Sequence, residues 1–432
     1  MRAFSLLVTM LVAGLLNAGE STPTKIGAER PSWLKGNIHT HSFWSDGNQF
    51  PEMIASWYKQ QGYDFLALSD HNILSKGEKW MPISTLKSRG GNDILDKYLD
   101  AYGKDWVLTR GEGDKLEVRL RTLEEFRVGL EKDGDFLMVQ SEEISDRSQG
   151  VPVHMNATNI QELIAPVGGP TVREAMANNL RAVAEQARKT GKPIVLHLNH
   201  PNFGYAVTAE DLAAVVQERF VEIYNGHPGV NVLGDDEHAS VEKIWDIVNT
   251  IRLAQLFAPP LFGVGTDDSH HYHGRGTSRP GRSWIMVRGD ELDADVITEK
   301  ITRGDFYSSS GVKLIDVVYN GKKQKLELLI DEQVGVTYTT KFIGTTTSAD
   351  LSSKERKTAN GKTVTRIYSE DVGAVLATVP GIQPTYQFKG DELYVRAVVT
   401  STKPHVDPTL PKQTEQAWTQ PVGWSVSQRR SR

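Results

Sequence analysis

Between Asn37 and Ser310 the sequence alternates short apolar segments with amphipathic ones, and this alternation limits the fold more than any other feature. The apolar segments have the length of strands, and they are 65–68, 136–139, 194–198, 220–224, 261–265 and 284–287. The segments between them carry helix signals, such as the apolar stripe of helical period in 172–187 that ends before Gly191. Strands that alternate with helices predict an α/β protein with a parallel sheet or a barrel.

Two regions depart from this alternation. Residues 73–135 form a long segment between two predicted strands, with helical stretches but no obvious core strand. We interpret this insert as a lid or side wall, with a solvated decoration as the alternative. After Gly311 the pattern changes to β-hairpins with Thr- and Lys-rich loops, so residues 313–432 predict a small all-β domain resembling a sandwich.

The first residues have the pattern of a processing signal. Arg2 precedes an apolar run from Phe4 to Leu16, and small residues follow at Ala18 and Gly19. The run is shorter than the ~20 residues that span a bilayer, which favours a cleaved secretory signal over residues 1–18 rather than a membrane anchor. A frayed amphipathic start is the alternative. We therefore expect a periplasmic or secreted protein.

Charge and cysteine content exclude several classes of function. The 432 residues carry a net charge of −5, which argues against a nucleic-acid binder, since such proteins normally present a basic face. The chain contains no cysteine, so disulfides, thiolate nucleophiles and cysteine-ligated zinc are all excluded. Any metal site must therefore use His, Asp and Glu.

Side chains of metal-binding type stand where the predicted strands end. They are His39 and His41, Asp70 and His71, Glu142 and Glu143, His197 and His200, then Asp267, Asp268 and His270, with His154 in a short predicted strand of its own. Residues two apart on a strand face the same side, so the imidazoles of His39 and His41 would point to one place. Each cluster alone also fits a helix cap or a packed histidine. Because the carboxyl ends of parallel strands converge, the joint pattern predicts a multinuclear metal centre.

These residues resemble the PHP (polymerase and histidinol phosphatase) superfamily of metallohydrolases. The resemblance lies in His39 and His41 with Asp46-Gly47, in Asp70-His71-Asn72, in Glu143, in His200-Pro201 and in Asp268 with His270, and it covers roughly residues 33–312. Residues 304–311 and 418–421 are similar to an exported branch that includes carbamate-hydrolase-like members.

The resemblance implies a distorted (β/α)7 barrel, a TIM-like fold, that binds two or three divalent metal ions. Transferred position by position, the first metal would be held by His39, His41, Glu143 and Asp268. Glu143 would bridge to a second metal held by His154 and His200, and a third would be held by Asp46, His71 and His270. Glu143 and Asp268 are thereby the expected catalytic residues. Three features depart from the family: Ser141 replaces a frequent Gly, Glu142 adds a competing carboxylate, and no Leu-Gly follows His154.

Imidazole and carboxylate ligands without sulfur suit zinc, manganese or iron. Such ions acidify a bridging water toward hydroxide and polarise the bond that it attacks. We therefore expect a metal-dependent hydrolase, with a phosphoesterase favoured and a carbamate, amide or carboxylic ester hydrolase as the alternative. A metal-binding surface protein without turnover is the rival from another class. Arg275, His271 and His273 are candidate contacts to an anionic small-molecule substrate, with a solvated basic loop as the alternative.

Residues near these clusters have less certain roles in the sequence. Asp70 and Asp267 could orient His71 and the Asp268 loop, or they could cap turns. Glu222 and Asn225 end a predicted strand and could serve the site. We interpret His197 as a packed histidine, His227 as a rim residue, and His238 and His405 as surface residues. The sequence leaves the oligomeric state open.

Overall fold

The structure is a computed structural model, and it describes residues 31–272 and 276–426. The predicted signal segment, residues 1–18, lies outside the described residues, and so do His273 and Arg275. Within the described ranges we find no helix that combines the length and the apolar character needed to cross a membrane. Export of the protein therefore stays a prediction.

The first part of the chain contains two strands of the central sheet, the insert and a long hairpin. Its elements are β1 (Trp33–Asn37), α1 (Pro51–Gln60), β2 (Phe65–Leu68), β3 (Lys79–Pro82), α2 (Ile83–Gly90), α3 (Ile94–Tyr102), β4 (Thr109–Arg110), a 3-10 turn (Gly113–Lys115), β5 (Glu117–Leu120), α4 (Leu123–Leu130), β6 (Leu137–Ser148) and β7 (Val151–Thr158). Helix α4 begins with the predicted capping box, in which the Thr122 hydroxyl accepts from the Glu125 amide and the Glu125 side chain accepts from the Thr122 amide.

The second part alternates helices with strands and ends in strands alone. Its elements are α5 (Val172–Thr190), β8 (Val195–Leu198), α6 (Ala209–Ala214), β9 (Phe220–Asn225), α7 (Val241–Ile251), a π-turn (Arg252–Leu256), β10 (Phe262–Thr266), β11 (Trp284–Arg288), α8 (Ala294–Arg303), β12 (Phe306–Ser309), β13 (Leu314–Asn320), β14 (Lys325–Ile330), β15 (Tyr338–Thr346), β16 (Ser353–Lys354), β17 (Ile367–Tyr368), β18 (Ala374–Pro380), β19 (Thr385–Gln387), β20 (Glu392–Pro404) and β21 (Thr414–Trp418). The predicted strands 65–68, 194–198, 220–224, 261–265 and 284–287 all appear, with ends shifted by one residue at most.

The predicted mixed α/β class is confirmed, but the described residues form no closed barrel of paired strands. One sheet of 13 strands has the order β10-β9-β8-β7-β6-β2-β1-β11-β12-β21-β20-β15-β18. After β12 it continues into the C-terminal strands instead of returning to β10. The sheet is also not all parallel, since β7 and β11 run antiparallel to both neighbours. It curls nevertheless, because the His41 amide donates to Ser269 O and the Asp268 amide to His39 O, both at 2.9 Å.

The hairpin β6–β7 changes where two of the predicted ligands lie. Glu143 does not end a strand, as the sequence suggested, but lies in the middle of the 12-residue β6. The polar residues after Glu143 still belong to the strand, because residues 141–148 of β6 pair with all of β7. In this pairing Glu143 lies opposite Asn156 and Ser145 lies opposite His154. The hairpin therefore carries both a carboxylate and an imidazole toward the same end of the sheet.

The insert has strands that the sequence analysis missed, since β3, β5 and β4 form a small antiparallel sheet of their own. Its apolar side chains share one buried cluster with Phe43, Trp44 and Phe50 from the loop that follows β1. The Trp44 indole also donates to Arg121 O at 3.1 Å. The insert therefore packs against the loop that carries His41 and Asp46, and its role as a lid or side wall stays a prediction.

The C-terminal strands make two layers, and one of these layers belongs to the main sheet. Strands β13, β14 and β19 form a separate sheet, and its Leu314 and Leu326 share a buried cluster with Phe342 and Val395 of the main sheet. Gln420 reaches back to the edge strand β10, where its amide accepts from Gly263 N at 2.7 Å and donates to Gly263 O at 2.9 Å. Such pairing covers an otherwise open strand edge. A domain boundary at 312 stays a prediction.

Glu218, just before β9, gives the fold a testable pH dependence. Its buried carboxylate accepts from the Arg219 and Phe220 amides through Oε1, and Oε2 has no partner among the described residues. Burial raises the pKa of Glu218 from 4.5 to about 7, although Phe220 N–H and Arg252 oppose the shift. The unfolded chain therefore loses this proton first, and the stability contributed by Glu218 falls as pH rises from about 4.5 to 7.

We expect Glu218→Gln to remove the pH dependence of stability that Glu218 contributes, since Gln keeps the accepting oxygen but has no ionisable carboxyl group. As pH rises from 4 to 8, the unfolding free energy of the variant should increase by about 3 kcal/mol relative to that of wild type, which corresponds to the shift of about two and a half pKa units. Urea unfolding at both pH values measures it. Exposed Glu291→Gln is the matched control, and an equal response of the two variants would contradict the prediction.

Candidate metal centre

Five sets of side chains converge at the end of the sheet where β2, β9 and β10 finish. Within each set, the nitrogen and oxygen atoms that could bind a metal lie within 4.8 Å of one another. The sets are His41, Asp46, His71 and His270; His39, His41 and Asp268; His39, Glu143 and His200; His71, Glu143 and His154; and His39, His197 and Glu222. The structure thus brings together all nine residues predicted as ligands, and it adds His197 and Glu222.

Glu143 lies at the middle of this centre. Its Oε2 is 2.8 Å from His71 Nδ1, 3.4 Å from His41 Nε2 and 3.6 Å from His39 Nε2. Its Oε1 is 2.9 Å from His154 Nδ1 and 3.6 Å from His200 Nε2. One carboxylate therefore faces five imidazoles, and its two oxygens face different subsets of them. This is the arrangement expected of a carboxylate that bridges two cations.

A second carboxylate, Asp268, faces the two histidines that follow β1. Its Oδ1 is 3.2 Å from Nε2 of both His39 and His41. Asp268 has a φ of 48°, a conformation that costs a non-glycine residue of order 1–3 kcal/mol and is found mostly at functional sites. The Ser278 hydroxyl donates to Asp268 O, and the Asn225 side-chain amide donates to Asp268 Oδ2 at 3.1 Å. These two hydrogen bonds hold the strained residue in place.

The centre has a buried side and an open side. The side chains of His39, His41 and Glu143 are at most 1% exposed, whereas that of Asp46 is 57% exposed. Asp46 lies 3.3 Å from His270 Nε2 and 3.4 Å from His71 Nε2. The set around Asp46 is therefore the outermost, and a substrate would approach the centre from this side.

Unpaired buried atoms support the fit of this centre to metal ions. His39 Nε2, both nitrogens of His41, Glu143 Oε2 and His154 Nδ1 are buried and have no hydrogen-bond partner among the described residues. Buried polar groups without a partner are costly, and histidine nitrogens beside carboxylate oxygens are ordinary ligands for divalent cations. The described residues therefore fit divalent metal ions, while the identity and number of the ions are open.

Glu222 at the end of β9 supports the centre from below. Its Oε1 is 2.6 Å from His39 Nδ1 and accepts from the Thr266 hydroxyl at 2.8 Å. Its Oε2 accepts from the His200 amide at 2.8 Å and from Asn225 at 2.9 Å. A carboxylate on Nδ1 fixes the orientation of the ring and leaves Nε2 free for a metal. The site role considered for Glu222 and Asn225 thus has a structural basis.

Other polar residues near the centre hold loops or other ligands. Asn199, which the sequence analysis missed, donates to Glu143 Oε1 at 2.8 Å. Asp70 does not contact His71 but accepts from Ser42 and Ser45, which fixes the turn between His41 and Asp46. Asp267 accepts from the amides of 281–283 and from Tyr58, so it holds the chain that follows the Asp268 loop.

The remaining histidines and Glu142 divide between core and rim. His197 is buried beside Glu222 at 3.4 Å, in agreement with the packed interpretation. His405 is buried and contacts Arg282 O at 3.0 Å, so the prediction of a surface residue is wrong, because its loop folds under the chain after β10. The competing carboxylate Glu142 faces away from the centre, where it accepts from Ile164 N at 2.7 Å.

The electrostatics of the cluster favour ionised carboxylates. Burial alone would raise the pKa of Glu143, but His71, His39 and His154 hold it well below its usual range. Burial together with the neighbouring His270 and His71 lowers the pKa of His41 to about 4. Metal binding needs ionised carboxylates and neutral imidazoles. Against the effect of burial, the carboxylates Asp268, Glu222 and Glu143 raise the pKa of His39, so a metal ion would displace a proton there.

The predicted substrate contacts are placed only in part. His271 is half-buried beside the centre, with its ring 6.4 Å from that of His270, and its Nδ1 accepts from Ser278 N at 3.2 Å. Arg275 and His273 lie outside the described residues. The structure instead shows two cations that the sequence analysis missed, Lys79 and Arg89 of the insert, beside the Asp46 turn. No local motif marks them, because only the packing of the insert brings them there.

Comparisons with known proteins identify no family for this chain. No protein-family model and no curated protein matches the sequence. Solved structures with similarity include a two-domain protein from Bacteroides vulgatus containing a predicted PHP-like metal-dependent phosphoesterase, at 14% identity and a TM-score of 0.40, over 93% of this chain and 100% of that one.

Two further structures have lower scores. One is a candidate metal-dependent phosphoesterase from Bifidobacterium adolescentis, at 15% identity and a TM-score of 0.30, over 64% of this chain and 98% of that one. The other is an amidohydrolase from Chromobacterium violaceum with bound sulfate and no metal, at 11% identity and a TM-score of 0.30, over 62% of this chain and 96% of that one. Scores this low leave the question of function to the chemistry of the chain's own residues.

Proposed function

We propose that this protein is a metal-dependent hydrolase, most suited to phosphoesters, with its active site at the cluster around Glu143. The observation that carries the proposal is the contact of one buried carboxylate with five imidazoles, at 2.8–3.6 Å, from both of its oxygens. The buried carboxylates that hold loops in this protein, Asp70 and Asp267, accept instead from backbone amides and hydroxyls. Five imidazoles around one carboxylate, three of them with buried unpaired nitrogens, fit the binding of several cations.

Divalent ions at such a site supply an acidified water and polarise the bond that the water attacks. His39, His41, Glu143 and Asp268 are the proposed ligands of one ion, with Glu143 bridging to a second at His154 and His200 and with Asp46, His71 and His270 for a third. The chain's own contribution is to hold these groups rigidly. Glu222 orients His39, Asn199 orients Glu143, and Asn225 orients Asp268, so that little reorganisation is needed when substrate binds.

The phosphoester assignment is supported by the charge that surrounds the open side of the centre. Several cations suit a dianionic group better than a neutral carbonyl. His271 lies at this side, and His273 and Arg275 are proposed from sequence as further contacts. Carbamate, amide or carboxylic ester hydrolysis is the second candidate, because metal ions alone can polarise a carbonyl. Membership of the PHP superfamily, its carbamate-hydrolase-like branch and export also remain proposals from sequence.

A substrate panel tests the reaction class. We expect metal-replete protein to cleave aryl phosphates and phosphodiesters at least about tenfold faster, in kcat/KM, than carbamates or carboxylic esters with the same leaving group, a difference of about 1.4 kcal/mol in the barrier. Protein stripped by a chelator is the control. Faster carbamate cleavage would favour the second candidate, and no cleavage in any class by fully loaded protein would favour a metal-binding protein without turnover.

A further inference from the structure

The insert places two cations against the turn that carries Asp46. The Lys79 ammonium, from β3, donates to Trp44 O, and the Arg89 guanidinium, from the last turn of α2, donates to Gly47 O. Both also lie over aromatic rings of the same loop, Lys79 at 5.5 Å from the Trp44 ring centre and Arg89 at 5.2 Å from that of Phe43. The two cations therefore bind the backbone just before and just after Asp46 in the sequence.

Neither Lys79 nor Arg89 forms an ion pair within 4.0 Å with a carboxylate of the described residues, 31–272 and 276–426. Both side chains are half-buried, and burial together with the positive charge of Arg89 lowers the pKa of Lys79, while Asp70 opposes the shift. Two like charges that are partly removed from water repel each other unless an anion is near.

The nearby carboxylates offset this charge only in part when metal is bound. Burial lowers the pKa of both cations, while Asp46 and Asp70 oppose this shift for Arg89 and Asp70 opposes it for Lys79. Asp70 also accepts four hydrogen bonds from Ser42 and Ser45. Asp46 faces His71 and His270 and would give its charge to a cation there. With metal bound, Lys79 and Arg89 would share the single negative charge of Asp70, which leaves a net positive charge beside the Asp46 turn.

We propose that Arg89 and Lys79 bind the phosphate group of the substrate beside the outer metal set, so that the insert selects for anionic substrates. The guanidinium has further N–H donors besides the one on Gly47 O and can bind two oxygens of a phosphate, while the ammonium adds a point charge. The inference rests on the proposed function, because an anionic substrate is what such a pair would bind. It assigns to the insert a role in specificity.

Binding of inorganic phosphate to the metal-replete full chain tests the inference by calorimetry. We expect Arg89→Gln and Lys79→Gln each to weaken phosphate binding by roughly 10–100-fold, the range of one charge-assisted contact. Arg89→Lys should weaken it less, since the charge stays and the fork is lost. Lys87→Gln, an exposed cation on the same helix, is the matched control and should bind phosphate like wild type.

Elemental analysis of each variant separates anion binding from a structural role. Wild-type metal content together with weakened phosphate binding supports the inference. Loss of metal in Arg89→Gln would mean that the guanidinium only holds the Asp46 turn, and it would overturn the inference, as would unchanged phosphate binding in the double variant. Failure of the hydrolase proposal looks different: no ester would be cleaved, while phosphate binding would still depend on Arg89 and Lys79.

Discussion

Glu143→Gln is expected to lose most of the bound metal and to lower turnover by roughly 10³-fold or more, which corresponds to at least about 4 kcal/mol in the barrier. The substitution keeps the shape of the side chain, and the remaining carbonyl oxygen can still accept from Asn199. It removes the charge that both oxygens present to five imidazoles. Wild-type protein should carry at least two divalent ions per chain by elemental analysis, and the variant at most one.

Glu142→Gln is the matched control, because the two glutamates are adjacent on β6 and both are buried. The Glu142 carboxyl faces the opposite side of the strand and accepts from Ile164 N, which a Gln oxygen can also do. The control should keep both metal and turnover. Wild-type metal content in Glu143→Gln would show that the bridging assignment is wrong, and equal losses in both variants would point to damage to β6 instead.

The metal centre could be predicted from the sequence because most of its proposed ligands lie in short motifs at the ends of predicted strands. His39 with His41, Asp268 with His270 and the position of His200 could be identified from the chain itself, since parallel strands bring such ends together. Glu143 was identified as well, but with the wrong local structure. A polar run usually ends a strand, and only the pairing with β7 shows that β6 continues through Glu143 to Ser148.

The parts that the sequence did not predict depend on contacts between distant residues. Asn199 and Arg89 carry no motif, and their partners, Glu143 and Gly47, lie 56 and 42 positions away. The barrel prediction was incomplete for the same reason, because whether a sheet closes depends on which strand pairs at its edge. Here β12 pairs with β21, more than a hundred residues later, and Gln420 covers the edge of β10.

Glu222→Gln should show whether Glu222 only orients the metal-binding histidines or itself binds metal or substrate. Glu222 lies behind His39. Its Oε1 contacts His39 Nδ1 and accepts from the Thr266 hydroxyl, and its Oε2 accepts from His200 N and from the Asn225 side chain. Burial would raise the pKa of Glu222, but His39 and His197 hold it well below its usual range, so the group acts as an anion. A neutral amide would present N–H groups to one of these donors and would no longer hold the His39 ring firmly.

We expect Glu222→Gln to weaken metal affinity by roughly 10–100-fold, the range found when a carboxylate that orients a metal-binding histidine is removed. Because the proposed ligands themselves remain, excess metal should restore most of the turnover, whereas it should not rescue Glu143→Gln.

Titration of apo-protein with Mn²⁺ or Zn²⁺, followed by turnover at saturating metal, measures both effects. Glu218→Gln is the control, since that buried carboxylate stands just before β9 without touching the cluster. Unchanged metal affinity in Glu222→Gln would make Glu222 a core residue only, and lost turnover that excess metal cannot restore would place it among the groups that touch substrate or metal.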